Sequence, residues 1–180
     1  CAVMGAGIGK NSNGKLTNHS SVYLPGQANE FAGYNKVHPF FPELGEFEAG
    51  HNVNLFKIDG WNISSVICYD LRFPTWCRLS KEDPYDILLV SANWPAIRIQ
   101  YWDVLMAARA IENQSYIAGV NCVGVDGTGL AYNGHSIAYD TRLMPIAQLA
   151  EGEEGCSIAD FDINKLHHFR EVLPIWQDAD

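Results

Sequence analysis

The segment that most restricts the fold runs from Ile87 to Val123. Ile87-Leu88-Leu89-Val90-Ser91-Ala92 is an almost unbroken apolar run, and Tyr116-Ile117-Ala118-Gly119-Val120 is another. Runs of this length without polar alternation fit strands buried on both faces of a sheet. Between them, Gln100 to Gln114 reads as a helix. Its apolar residues, including Tyr101, Trp102, Val104, Leu105, Met106 and Ile111, lie almost all round. Such a helix packs between layers or against a second subunit. With further strands on either side, this order predicts a two-layer sheet core covered by helices.

The flanking segments are shorter. Ala2 to Gly9 reads as a Gly-rich strand packed closely against a neighbour. It is neither a dinucleotide loop nor a phosphate loop, because position 10 is Lys, Asn11 follows it, and the glycine spacing is wrong. Asn13-Gly14 marks a turn into a return strand at Ser20–Leu24. Phe31 to His38 is an extended stretch carrying Lys36. Residues 39–50 form a loop with Pro39, Pro42, Gly45, Gly50 and three glutamates, Glu43, Glu46 and Glu48. Trp61–Ile67 reads as a strand, and Pro74 as the start of a helix. Further strands are expected at His135–Asp140 and Cys156–Asp162, with a last helix from Asn164 to Val172 ended by Pro174.

The 180 residues, with no repeat, linker or low-complexity segment, are expected to form one domain, 1–180. A net charge of -9 and the lack of a basic tract argue against a nucleic-acid surface. No apolar run reaches the roughly 20 residues of a membrane span, and no secretory leader is legible at the start. The five cysteines are odd in number and irregularly spaced, which is no disulfide framework. No Cys-x-x-Cys pair occurs and the histidines are not at zinc spacing. Reduced thiols in a cytoplasmic protein without metal or cofactor is the expectation.

Cys68 falls where the strand Trp61–Ile67 gives way to the expected helix. A thiol there should feel the positive end of the helix dipole, and Arg72 should add positive charge. Both would lower its pKa and raise its nucleophilicity. The competing reading is a buried, inert cysteine. The flanking residues favour the first reading. Cys68-Tyr69-Asp70-Leu71-Arg72-Phe73-Pro74 resembles the nucleophile signature of the nitrilase, or carbon–nitrogen hydrolase, superfamily. The resemblance extends to Tyr34-Asn35-Lys36-Val37-His38-Pro39-Phe40, to Ala92-Asn93-Trp94-Pro95 with Arg98 and Trp102, and to Ala108–Gln114. It continues through Asn121, Gly124, Asp126, Gly127 and Gly129 to Phe169–Pro174. Within the superfamily the chain is most similar to the ω-amidase-like amidohydrolases, which hydrolyse monoamides of small dicarboxylic acids.

The resemblance implies an α/β fold, the α-β-β-α sandwich of the nitrilase type, and a Glu-Lys-Cys triad. Cys68 matches the nucleophile and Lys36 the lysine. Glu46 is the expected supporting glutamate, because Gly45-Glu46 fits the pattern best, with Glu43 and Glu48 as alternatives. The general-base glutamate of the family would lie ahead of anything in this chain. The chain is therefore expected to be an N-terminally truncated member without its first strand–helix unit. Tyr69, Arg72, Asn93 and Trp94 are candidate substrate-binding residues. For Arg72 a structural salt bridge with Asp70 or Glu112 is the alternative, and for Trp94 a place in the core. The implied partners are a small amide substrate and a second copy of the chain. Two rival readings stay open: an inactive remnant serving only in folding or dimerisation, and a redox or acyl-transfer thiol protein.

Overall fold

The computed structural model describes residues 1–178. Strands β1 (Val3–Lys10), β2 (Leu16–Tyr23) and β3 (Ala32–Asn35) form a three-stranded antiparallel sheet. The β1–β2 turn is set by Asn11, whose Oδ1 accepts from the backbone N–H groups of Asn13 and Lys15 at 3.0 Å each. Gly14 supplies the left-handed residue this turn needs, at φ 76°. Strands β4 (Leu55–Ile58) and β5 (Trp61–Ile67) follow. The chain then makes a single 3-10 segment, Cys68–Arg72, and the one-turn helix α1 (Pro74–Cys77). Next come β6 (Ile87–Ala92), α2 (Ile99–Asn113) and β7 (Tyr116–Asn121). A small hairpin of β8 (Val123–Val125) and β9 (Ala131–Asn133) leads to β10 (Ile137–Tyr139), β11 (Pro145–Gln148) and α3 (Ile163–Val172).

The second sheet has the order β11-β10-β7-β6-β5-β4. Its centre, β5-β6-β7, is parallel, as the two apolar runs require, and the outer strands are antiparallel. One face is sealed by α2, whose Trp102, Met106 and Ala110 pack with Val66, Leu88, Val90 and Ile117. Gly119 permits this approach. A Cβ there would stand 2.5 Å from Met106 Cε and 2.7 Å from the Trp102 ring. The next residues along the same strands, Ile87 and Leu89, pack with Leu166 of α3 and with Phe161. The helix α2 is apolar nearly all round, as expected, and it leaves Tyr101, Val104 and Ile111 exposed.

Three expectations are corrected. Cys156–Asp162 is not a strand; the sheet edge is taken by β11 instead, and residues 152–158 are exposed without a ladder partner. Pro145 fits that edge, where its missing N–H breaks no ladder bond. The helix after Cys68 is far shorter than expected, because Arg78 returns to extended backbone and Leu79 N–H is held by Asn113 Oδ1 at 2.7 Å. The Gly-rich strand β1 is closely packed against β2 only at Gly9, where a Cβ would stand 3.2 Å from Thr17 Oγ1; open space lies where Cβ atoms of Gly5 and Gly7 would be.

What this fold does for a site follows from register. Ile67 of β5 aligns with Ser91 of β6, and Ala92 of β6 with Asn121 of β7. The three parallel strands thus end together, and Cys68, Asn93 and Cys122 follow on one rim. Ligand sites of open α/β sheets lie beyond the carboxyl ends of such strands.

Candidate active site

A cavity of about 880 Å³ lies at this rim. Its lining includes Lys36, Glu43, Cys68, Tyr69, Arg72, Asn93, Trp94 and Arg98, with Met4–Ile8 of β1 on one side and Asp126, Thr128 and Tyr132 of the β8–β9 hairpin on another.

Cys68 is a non-glycine residue at φ 49°. The left-handed region is costly for a side chain with Cβ, on the order of 1–3 kcal/mol, and such strain is commonly found at reactive positions. The surroundings over-determine it. The buried carboxylate of Asp70 accepts from Ile67 N–H (3.2 Å), His38 N–H (2.9 Å) and Tyr34 O–H (2.7 Å), with His38 Nδ1 at 2.8 Å. This one side chain therefore ties the turn at Cys68 to the segment that carries Lys36. From the other side, the Arg109 guanidinium of α2 donates twice to the Leu71 carbonyl, at 2.8 and 3.2 Å.

The thiol is half-buried and faces the Asn93 carbonyl at 3.9 Å. Burial pushes its pKa up, an effect opposed by the positive charge of Lys36 and a backbone hydrogen bond at Asn93, and reinforced by Glu43 and Asp70. The expectation of a pKa lowered by a helix dipole and Arg72 is thus corrected. The 3-10 segment supplies no helix of useful length, Lys36 is the cation acting on the sulfur, and desolvation wins.

Lys36 is 3% exposed and its Nζ lies 2.7 Å from Glu43 Oε2. Glu43 also accepts from Phe40 N–H at 2.6 Å and Asn18 Nδ2 at 3.0 Å. Glu46, the expected supporting glutamate, is exposed and lies outside the cavity lining. The structural reason is the short 3-10 segment Phe41–Glu43, which turns Glu43 back toward Lys36. The Glu48 alternative pairs with Asn11 instead.

The remaining candidates all reach the cavity. The Tyr69 ring stands edge-on to Phe40 and Phe73, with centroids 5.1 and 5.3 Å away. Trp94 belongs both to the core and to the cavity wall. It is 3% exposed, touches Trp102 and donates from Nε1 to the Arg98 carbonyl at 2.8 Å. The Arg72 guanidinium lies 5.1 Å over Trp94 and 5.0 Å over Tyr101. The salt-bridge alternative for Arg72 fails, because Asp70 is engaged as above and Glu112 pairs with Arg109 at 3.0 Å. Asn121 holds the rim together from below. It accepts from Trp94 N–H at 2.6 Å and donates to the carbonyls of Trp94 and Gly134 at 3.0 and 2.7 Å. Sequence reasoning gave no role to the lining residues Arg98 and Tyr132; Arg98 stood in the quoted motif and could have been taken up. Among the described residues no cluster of His, Cys, Asp or Glu could hold a metal ion, and no helix is long and apolar enough to cross a membrane.

The fold and the site define an α/β protein with a strained cysteine at the end of a parallel strand, beside a lysine paired with a glutamate. Comparison with known proteins narrows this. The family model described as carbon-nitrogen hydrolase matches residues 1–171, and the chain belongs to that family. It is similar to the omega-amidase YafV of Escherichia coli, with 42% identity over 150 residues, 82% of this chain and 57% of the relative. It is also similar to the 2-oxoglutaramate amidase of Bacillus subtilis, with 38% identity over 150 residues, 81% of this chain and 56% of the relative. The chain thus spans somewhat more than half the length of these curated relatives. Among solved structures, a CN-hydrolase superfamily protein of Xanthomonas campestris with an arsenic adduct in its active site superposes with a TM-score of 0.91. The identity is 31%, covering 99% of this chain and 69% of that one. This supports the nitrilase-type fold inferred from the sequence.

Proposed function

We propose that the protein hydrolyses non-peptide carbon–nitrogen bonds, cleaving a small amide, the monoamide of a dicarboxylic acid, to acid and ammonia. The reading is carried by one observation: the Cys68 turn and the Lys36–Glu43 pair open into the same cavity. Cys68 Sγ attacks the amide carbon as a carboxylate base takes the thiol proton. The carbonyl π pair moves to oxygen, where the Lys36 ammonium and the Tyr69 backbone N–H stabilise it; one such donor contributes about 3–4 kcal/mol to the barrier. The intermediate collapses, nitrogen receives the proton, and ammonia leaves behind a thioester. Water, activated by the same base, attacks the thioester carbon, releasing the acid and restoring the thiol.

Two carboxylates line the cavity, and neither is assigned as that base. Glu43 is engaged by Lys36, Phe40 N–H and Asn18. Asp126 accepts from Thr128 N–H and O–H, Leu130 N–H and Tyr132 O–H, which hold its pKa near 2. The resemblance puts the base on a strand–helix unit ahead of β1. Arg72, free of any ion pair among the described residues, is the anchor for the far carboxylate of the substrate. The names of the relatives, omega-amidase and 2-oxoglutaramate amidase, support this substrate class. A homodimer belongs to the same reading, supported by the exposed apolar stripe Ile97, Tyr101, Val104 and Ile111. Five unpaired cysteines support a reducing, cytoplasmic setting.

The test is ammonia release from a panel of monoamides, with Cys68→Ala as control, on the chain as given and on a version extended at its front. Release that depends on Cys68 supports the proposal. If neither version releases ammonia, the inactive-remnant reading replaces it.

A further inference from the structure

Arg98 carries a role that neither the motif reading nor the proposed chemistry gives it. Its guanidinium lies 5.6 Å over the Phe40 ring, and its own carbonyl is fixed by the Trp94 indole N–H. Phe40 in turn stands edge-to-face against Tyr69, over which Arg72 sits at 6.0 Å. The two guanidiniums are thus seated on aromatic rings that also wall the cavity, Arg98 on Phe40 and Arg72 between Tyr69 and Trp94, with Phe40 and Tyr69 in contact. Both are half-buried.

Charge accounting makes this pair unusual. The chain carries a net charge of -9, so carboxylates are plentiful. Those on the elements around the cavity are engaged elsewhere. Asp70 serves Tyr34 and His38, Glu43 serves Lys36, Glu112 serves Arg109, Asp103 lies against His135, and Asp126 closes its own loop. Among the described residues neither Arg72 nor Arg98 has an anionic partner. Stacking on aromatic faces holds a guanidinium in place while leaving its N–H edge free. A carboxylate offers about four lone-pair sites, enough for donors from two guanidiniums at once.

We propose that Arg98 is a second carboxylate-binding residue, acting with Arg72 on the far end of the substrate and determining selectivity for acidic over neutral amides. This rests on the amidase reading, so the test is chosen to be independent of turnover. Glutarate, the product-like dicarboxylate, is titrated as a protector of Cys68 against iodoacetamide in the protein and in Arg98→Gln and Arg98→Lys. Loss of a charged hydrogen-bonding partner predicts that Arg98→Gln needs about ten- to hundredfold more glutarate for half protection. Arg98→Lys keeps the charge and loses the planar fork, and falls between. In turnover, the ratio of kcat/KM for glutaramate to that for pentanamide drops by a similar factor in Arg98→Gln. A purely structural role would move both amides alike. Unchanged glutarate protection in Arg98→Gln, no protection of the unsubstituted protein, or equal loss for both amides overturns the assignment. Protection that weakens as expected in a protein releasing no ammonia either as given or extended at its front keeps Arg98 as an anion-binding residue and removes the amidase reading instead.

Discussion

Glu43→Gln is the substitution that separates the structure from the sequence pattern. Lys36 is almost fully buried, and Glu43 is its counter-ion at 2.7 Å. Glutamine keeps the shape and one acceptor oxygen but removes the charge. Leaving one member of a buried pair uncompensated costs about 3–5 kcal/mol. The lower end, about 3 kcal/mol, applies here, because the Glu43 side chain retains 21% of its exposure. For a chain of this size each kcal/mol moves the thermal midpoint about 2–4 °C, so Glu43→Gln should melt roughly 6–12 °C lower. The lysine then lacks the counter-ion that holds it beside the sulfur. Amide hydrolysis should fall by about 10²–10³ as oxyanion stabilisation is lost. Glu46→Gln alters an exposed side chain away from the cavity and should stay within about 0.5 kcal/mol. Differential scanning calorimetry and ammonia release on the two variants decide the matter. Equal damage from Glu46→Gln, or a Glu43→Gln protein that melts and reacts normally, would refute the assignment.

Three further predictions follow from the same geometry. Burial raises the Cys68 pKa, so the rate of its alkylation should climb with pH to a half-maximum above the ordinary value of 9, and Lys36→Met, which removes the opposing charge, should move it higher still; a half-maximum below pH 8 would contradict this account. Asp70→Asn removes a buried acceptor used by Ile67, Tyr34 and His38 and should cost about 3 kcal/mol or more in denaturant unfolding; a variant as stable as the parent would show that the carboxylate does not tie the two segments. Gly50→Ala would put a Cβ 2.1 Å from the Asn35 carbonyl oxygen, a backbone atom one residue before Lys36, so it should lower both stability and activity; a silent substitution would mean that this approach is not fixed.

Much of this protein was decided by local sequence. Continuous apolar runs at Ile87–Ala92 and Tyr116–Val120 could only be buried strands, and the intervening segment only a helix that covers them, because burial on both faces removes polar alternation. The motif around Cys68 marked a turn at a strand end, and the Lys36 segment marked its partner. Tertiary structure alone decided which of three glutamates meets Lys36, since Glu43, Glu46 and Glu48 share one loop and differ only in how a three-residue 3-10 turn aims them. It also decided the sign of the Cys68 shift: desolvation depends on packing from β6 and the lysine segment, and no local pattern records that. The free charge on Arg72 and Arg98 is of the same kind. A sequence shows that an arginine is present, whereas the absence of a carboxylate beside it emerges only when the chain has placed the carboxylates around the cavity against other partners.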